Sequence, residues 1–403
     1  MNKISSIQIV SLATCLASFA SFAGPVTTVA WNGYTGAASF TYDDARTSQI
    51  PNLFPQLNSL NLKATFFLAN MYDFPSKKSD WIAAAKAGRE LGNHTSDHSS
   101  PTSSNVQSMA TTLRGLDPVV DAVTFAYPNC TVTGTNYVSA ENFMARGCGN
   151  ASYAWGSQPS DWMNIQGLIL GPTSVSSAIT LLNTAQSGNK WVTTIVHDVT
   201  SNPDTYSMTP ADNLKMLNQA VTNKLWIGTF QDVGAYYRAH FTMDAVTATK
   251  NGTSWDMKWT SPHPKMPKSV KLRVKLDATT FGTGFVVTQS NVAIAPESDG
   301  SYVIDFMKLA MSVSPKSTAV QPRSWQLPSN FALRLTEQGI AVAGFDHDVD
   351  VRVTDLRGAT LFQGRSSNGL IPVAKNQRGG VLLVSLIDPV SGVSAQRTLN
   401  TIR

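Results

Sequence analysis

The sequence predicts an α/β fold, a parallel sheet either open or closed into a barrel, followed by one or two β-sandwich modules. Three observations carry that expectation. From about Ala30 to His240, short apolar runs with β character alternate with segments of good helix formers, the pattern of repeated strand–helix–strand units. After His240, apolar and polar residues alternate and turn residues separate the runs, as in antiparallel β modules. A stretch rich in Pro and Ser, from Ser312 to Asn330, parts the last of these from the rest. A length of 403 residues suits two or three domains of ordinary size.

The elements follow in chain order. "AASFTY" is a short apolar run with strand character, "SQIPNLFPQLNSLNL" is helix-like, and "KATFFLA" is a second buried strand. "SDWIAAAKAGRE" places Ser79 or Asp80 as a helix cap before Ala-rich sequence. "AVTFAYP", "WVTTIVHDV" and "LWIGTF" are further strands. "TPADNLKMLNQAVTNK" between the last two is a helix capped at Thr209. The expected division is 1–23 signal peptide, 24–240 α/β domain, 241–315 β-sandwich module, 316–330 linker and 331–403 small C-terminal β module.

Composition narrows the setting. Only 14% of residues are charged, against about a quarter in ordinary globular proteins. Residues 1–23 combine an early Lys, an apolar run and a Ser21-Phe22-Ala23 small-x-small site. That is the pattern of a secretory signal peptide, so the expected location is extracellular or periplasmic. No later segment is apolar over a membrane-spanning length, so no membrane span is expected. Two cysteines, Cys130 and Cys148, remain beyond that leader. An oxidising destination permits a bridge between them, but spacing alone leaves open whether it forms. The net charge of +5 is mild and unclustered, which gives no ground for a nucleic-acid partner. A monomer is expected.

The chemistry begins with "RELGNHTSDHSS". His94 and His98, two of only six histidines, stand four apart in a polar setting. On a helix such a pair would share one face and reach one ion. Asp43 and Asp44 end the first strand, and strand C-termini are where parallel α/β folds place their sites. Adjacent carboxylates there are costly without a cation. One Asp and two His form a three-ligand set that leaves positions open, as a catalytic zinc site requires. His197 ends the run "TTIVHDV" and could deliver a proton near neutrality.

These residues resemble the motifs of polysaccharide deacetylases of carbohydrate esterase family 4, the NodB-like domain. Its TFDDG motif corresponds to Thr41-Tyr42-Asp43-Asp44-Ala45, and its H-(S/T)-x-x-H to His94-Thr95-Ser96-Asp97-His98. R-P-P-Y corresponds to "AYPN", Ala126 to Asn129. D-x-x-D-W keeps Asp161 and Trp162, and L-x-H is Ile195-Val196-His197. The resemblance covers about Ala30 to His240.

The resemblance implies an incomplete (β/α) barrel that hydrolyses acetyl groups from an acetylated polysaccharide, acetyl xylan or chitin and its oligosaccharides. It implies Asp44, His94 and His98 as ligands of a divalent metal, zinc first, with cobalt or nickel as alternatives. It implies Asp43 as the base that takes a proton from the attacking water and His197 as the acid. Trp162 would wall the acetyl pocket, Asp161 would orient His197, and the backbone N–H of Asn129, after Tyr127-Pro128, would stabilise the oxyanion.

Three departures stand out. Ala126 replaces the Arg that pairs with the base, so Arg46 or Arg146 would have to stand in. Ala45 replaces a Gly, and Gln158 replaces an Asp. The alternatives are a carbohydrate-binding protein on a decayed deacetylase scaffold and hydrolysis of a non-sugar amide. In the module after His240, Trp255 and Trp259 could stack on sugars, but core packing is the better expectation. "VRVTDLRG" and "GGVLLVSL" faintly resemble small immunoglobulin-like accessory or sorting modules of secreted hydrolases.

Overall fold

A computed structural model describes residues 24–316 and 332–400, apart from 346, 356–358, 367–368, 374–379 and 388–393. The expected signal peptide and all but residue 316 of the expected linker lie outside the described residues. The chain divides into two compact units, 1–316 and 317–403.

Seven parallel strands form the heart of the first unit: β1 (Ala37–Asp43), β2 (Thr65–Leu68), β3 (Glu90–Asn93), β4 (Thr124–Ala126), β5 (Met144–Cys148), β6 (Ile165–Ile169) and β7 (Lys190–Val196). They neighbour one another in that order, and β7 pairs back with β1 over six residues, from Ala37–Trp191 to Tyr42–Val196. The sheet is therefore a (β/α) barrel of seven strands. Every residue of β1 is buried, because a barrel strand has side chains inside the barrel on one face and helices on the other. "LWIGTF" contributes only Trp226–Ile227, added outside β1.

Helix formation follows local chemistry, with one revision. Thr209 caps the helix Pro210–Thr222, its side chain accepting from the Asp212 N–H. The helix expected to be capped by Ser79 or Asp80 instead spans Lys78–Lys86, and Lys77 at its N-cap makes no side-chain cap bond. β3, β5 and β6 did not stand out in the sequence. "ELGN" and "MARGC" carry polar residues that the barrel buries, among them Glu90, Asn93 and Arg146.

The β-rich segment after residue 240 lies in the same unit as the barrel. The helix Phe230–Asp244 runs through that position. The strand Val26–Thr28 joins Lys271–Leu276 and Tyr302–Asp305 in a three-stranded antiparallel sheet. A five-stranded sheet holds Ala248–Asn251, Ser254–Lys258, Phe285–Gln289, Val292–Ile294 and Ala310–Pro315. Both sheets share one apolar core with barrel residues such as Phe67 and Trp191. Trp259 is buried in that core, its indole N–H donating to the Phe306 carbonyl at 2.7 Å, and Trp255 packs partly buried against it. In the second unit, a three-stranded and a four-stranded antiparallel sheet enclose a core that includes Ile340, Val351, Val353, Leu382 and Val384.

Candidate metal and catalytic site

The C-terminal ends of the barrel strands open onto a cavity of about 260 Å³. Asp43, Asp44, His94, His98, Tyr127, Asn129, Arg146, His197 and Tyr206 are among its lining residues. The chain turns sharply after β1. Asp44 and Ala45 both take positive φ, 73° and 56°, which costs strain at non-glycine residues. The turn sends Asp43 and Asp44 in different directions, toward different partners.

Asp44 faces the histidines. His94 follows β3, and its Nδ1 lies 2.7 Å from the Ala126 carbonyl. That contact requires the proton on Nδ1, so Nε2 presents its lone pair. Nε2 of His94 lies 3.4 Å and Nε2 of His98 3.2 Å from Asp44 Oδ1. Asp44 Oδ1 is buried and accepts no hydrogen bond from the described residues. A buried carboxylate oxygen in that state, with two imidazole nitrogens converging on it, fits a divalent cation. One donor atom from each of the three residues lies within 4.8 Å of the others. Burial opposes ionisation of Asp44, but the imidazoles of His94 and His98 beside it hold its carboxyl far below the ordinary carboxylate range. The Asp44 carboxylate beside it raises His98 in turn.

The two histidines do not share a helix. His94 and His98 lie on the loop that follows β3, and Thr95 (φ 61°) and His98 (φ 53°) fold that loop back on itself. The four-residue spacing works here through a tight loop rather than a helical turn.

Asp43 faces the other way, onto Arg146 of β5. Nη1 and Nη2 of Arg146 contact Oδ1 and Oδ2 at 3.0 and 2.7 Å, and Nη1 also reaches the Thr41 hydroxyl at 2.9 Å. Both side chains are buried. This fork-to-fork ion pair supplies the cation missing at Ala126, from the neighbouring strand. The other candidate, Arg46, pairs with Asp44 Oδ2 at 3.1 Å and lies over the Tyr72 ring.

His197 stands just beyond β7, with Nε2 3.9 Å from Asp44 Oδ2. Its Nδ1 is buried and has no hydrogen-bond partner among the described residues, so Asp161 does not orient it. The Asp161 carboxyl instead accepts from the Met163 N–H, within its own turn. Trp162 is likewise not among the cavity-lining residues. It packs on Tyr237 and Phe241, with Arg238 over its ring. Tyr127 and Asn129 do line the cavity.

Two neighbours, Gln49 and Tyr206, escaped the sequence reading, and a bridge it had left open is formed. The buried Gln49 amide donates to the carbonyls of Asp43 and His197, both at 2.7 Å, and so ties the two strand ends together. Nothing in "TSQIPNLF" signals this, because its helical pattern masks it. Tyr206 is half exposed, its ring 5.4 Å from that of His197. Cys130 and Cys148 form a disulfide at the cavity wall, with Cα atoms 5.4 Å apart.

Against known families, residues 34–133 match the model described as polysaccharide deacetylase. That span is similar to the polysaccharide deacetylases. The matched span takes in Asp43, Asp44, His94, His98 and Asn129. Solved structures similar to this chain include the Xyl-CE4 domain of a multidomain xylanase from the hindgut metagenome of Trinervitermes trinervoides, at 18% identity, covering 49% of this chain and 89% of that one (TM-score 0.33). A family 4 acetyl xylan esterase from Clostridium thermocellum, in complex with a cobalt ion, shares 16% identity over 49% of this chain and 89% of that one (TM-score 0.34). A family 4 pseudoenzyme from Bacillus anthracis shares 16% identity over 49% of this chain and 65% of that one (TM-score 0.33). No curated protein matches by sequence.

Proposed function

We propose that this chain is an exported, divalent-metal-dependent deacetylase that hydrolyses acetyl groups from an acetylated polysaccharide, either acetyl xylan or chitin and its oligosaccharides. One observation carries the reading: the Asp44–His94–His98 cluster, the Asp43–Arg146 pair and His197 line a single cavity. Asp44, His94 and His98 would hold the ion, zinc by first choice, with cobalt or nickel also suited to two imidazoles and a carboxylate. When bound, such an ion lowers the pKa of a water and polarises an acetyl carbonyl.

The protein groups divide the remaining work. Asp43, held in place by Arg146, accepts the proton of the attacking water. His197, across the ion cluster, returns a proton to the leaving amine or alcohol. The Asn129 N–H donates to no acceptor among the described residues and is free to stabilise the developing oxyanion. The Asp43–Arg146 pair favours catalysis over a binding role on a decayed scaffold, since Ala126 no longer leaves the base without a cation. Export is supported by the character of residues 1–23 and by the disulfide, which suits an oxidising compartment.

Acetate release from acetyl xylan and from chito-oligosaccharides, with and without chelator, tests the reading, together with metal analysis of the protein as isolated. Release that stops with chelator and returns with zinc is expected. Release unaffected by chelator defeats the metal role, and no release from either substrate with metal bound defeats the enzyme.

A further inference from the structure

We propose that the Cys130–Cys148 disulfide is a positioning element of this site, which fixes the loop that presents the Asn129 N–H to the acetyl group. The inference rests on the deacetylase reading and adds to it a part that the family motifs do not contain.

The loop is strained. Asn129 and Cys130 are consecutive non-glycine residues in the left-handed region, at φ 53° and 58°. Left-handed backbone crowds the Cβ of an ordinary residue against its carbonyl, at Cys130 more than at Asn129. Its own hydrogen bonds do little to enforce the shape. Cys130 N–H donates to the Tyr127 carbonyl and Thr131 N–H to the Pro128 carbonyl, both at 3.2 Å. Both bonds close within the loop. The last backbone tie to the sheet is Tyr127 N–H to the Arg146 carbonyl at 3.1 Å. Beyond it, Asn129 and Cys130 are exposed, and the disulfide joins them to the sheet.

The other end of that cross-link is firm. Cys148 is the last residue of β5, two positions past Arg146, and β5 is laddered to β4 on one side and β6 on the other. The bridge therefore ties the loop bearing the free Asn129 N–H to the strand that holds Asp43. All four residues, Asn129, Cys130, Arg146 and Cys148, line the cavity. Without the bridge, Asn129 and Cys130 are free to relax toward right-handed or extended backbone, which swings the N–H away.

Two variants separate this role from simple stabilisation. Cys130→Ala/Cys148→Ala removes the bridge and keeps the strain. Cys130→Gly/Cys148→Ala removes the bridge but places at 130 a residue that accepts a positive φ at no steric cost. Each would be assayed well below its melting temperature for kcat, KM, zinc affinity by calorimetry, and ¹⁵N relaxation of the Asn129 amide. The alanine variant should lose about 10- to 100-fold in kcat, up to the loss of one oxyanion donor. KM and zinc affinity should stay within about twofold, and the Asn129 amide should become mobile. The glycine variant should recover part of kcat and of the amide order. Wild-type kcat in the alanine variant, an unchanged Asn129 amide, or a matching collapse of zinc affinity would overturn the proposal. If the wild-type chain released no acetate, the deacetylase reading would fall, and the amide relaxation would still decide whether the bridge fixes the loop.

Discussion

Replacing Arg146 with Met should damage the protein more than a typical core substitution, for an electrostatic reason. The guanidinium makes two contacts to the Asp43 carboxylate and one to the Thr41 hydroxyl, with both charged side chains buried. Met fills much of the same volume but leaves a buried carboxylate with no partner. Breaking a buried pair from one side costs about 3–5 kcal/mol. At about 2 °C per kcal/mol for a unit of this size, the melting temperature should fall by about 6–10 °C. The second arm is Asp43→Asn/Arg146→Met, which removes the orphaned charge. It should recover most of the loss, with a coupling of about 2–3 kcal/mol in a double-mutant cycle. Scanning calorimetry on the four proteins at pH 7 reads both quantities. Additive costs, or an Arg146→Met protein that melts with the wild type, would refute the reasoning.

Other contacts in the protein set further expectations. His98→Ala should weaken zinc binding at least 100-fold by calorimetry and leave the melting temperature of the metal-free protein nearly unchanged, because the imidazole is partly exposed. Trp259→Ala should cost about 3–5 kcal/mol by chemical denaturation, because it empties a core site and orphans the Phe306 carbonyl. Glu90 and His240 should oppose one another in pH dependence. Burial pushes the Glu90 carboxyl up to about 7, so the folded state holds that proton more tightly, and stability is lost as pH rises from about 4.5 to 7. Burial pushes His240 down to about 4, so stability is lost as pH falls from 6.5 to 4. Glu90→Gln should therefore steepen the fall of the melting temperature between pH 6.5 and 4.5. A curve parallel to wild type would count against the Glu90 assignment.

Legibility from sequence varied with the physics involved. β1, β2 and β7 were plain because a strand buried on both faces is a continuous apolar run. β3 and β5 were hidden because the fold buries polar residues in them once each is paired: Glu90 with Thr65 and Thr124, Arg146 with Asp43, and Asn93 with the Val106 carbonyl of the flanking helix. The Asp44–His94–His98 cluster was readable as residue types at a spacing, yet the assumed helix was wrong, since loop backbones with positive φ leave no periodic trace. Arg146 could only be nominated, because its 103-residue separation from Asp43 is bridged by the sheet and by nothing local. Asp161 and Trp162 sat in a motif that had already lost its first Asp, and they have settled into a turn and a core.

The closure of the barrel has a bearing on how activity is acquired. Thr41 donates to the Thr194 carbonyl across 153 residues of chain, and the pairing of β1 with β7 is what brings His197 beside the Asp43–Asp44 turn. Both histidines of the Asp44 cluster come from the loop after the third strand, so its three side chains lie in the first quarter of the chain, with His94 braced from outside it by the Ala126 carbonyl. On the proposed reading, a nascent or partly refolded molecule would gather these three side chains before the site for ester or amide hydrolysis is complete. Such long-range pairing is slow to form, so on that reading catalytic competence would come after the three ion-binding side chains have met.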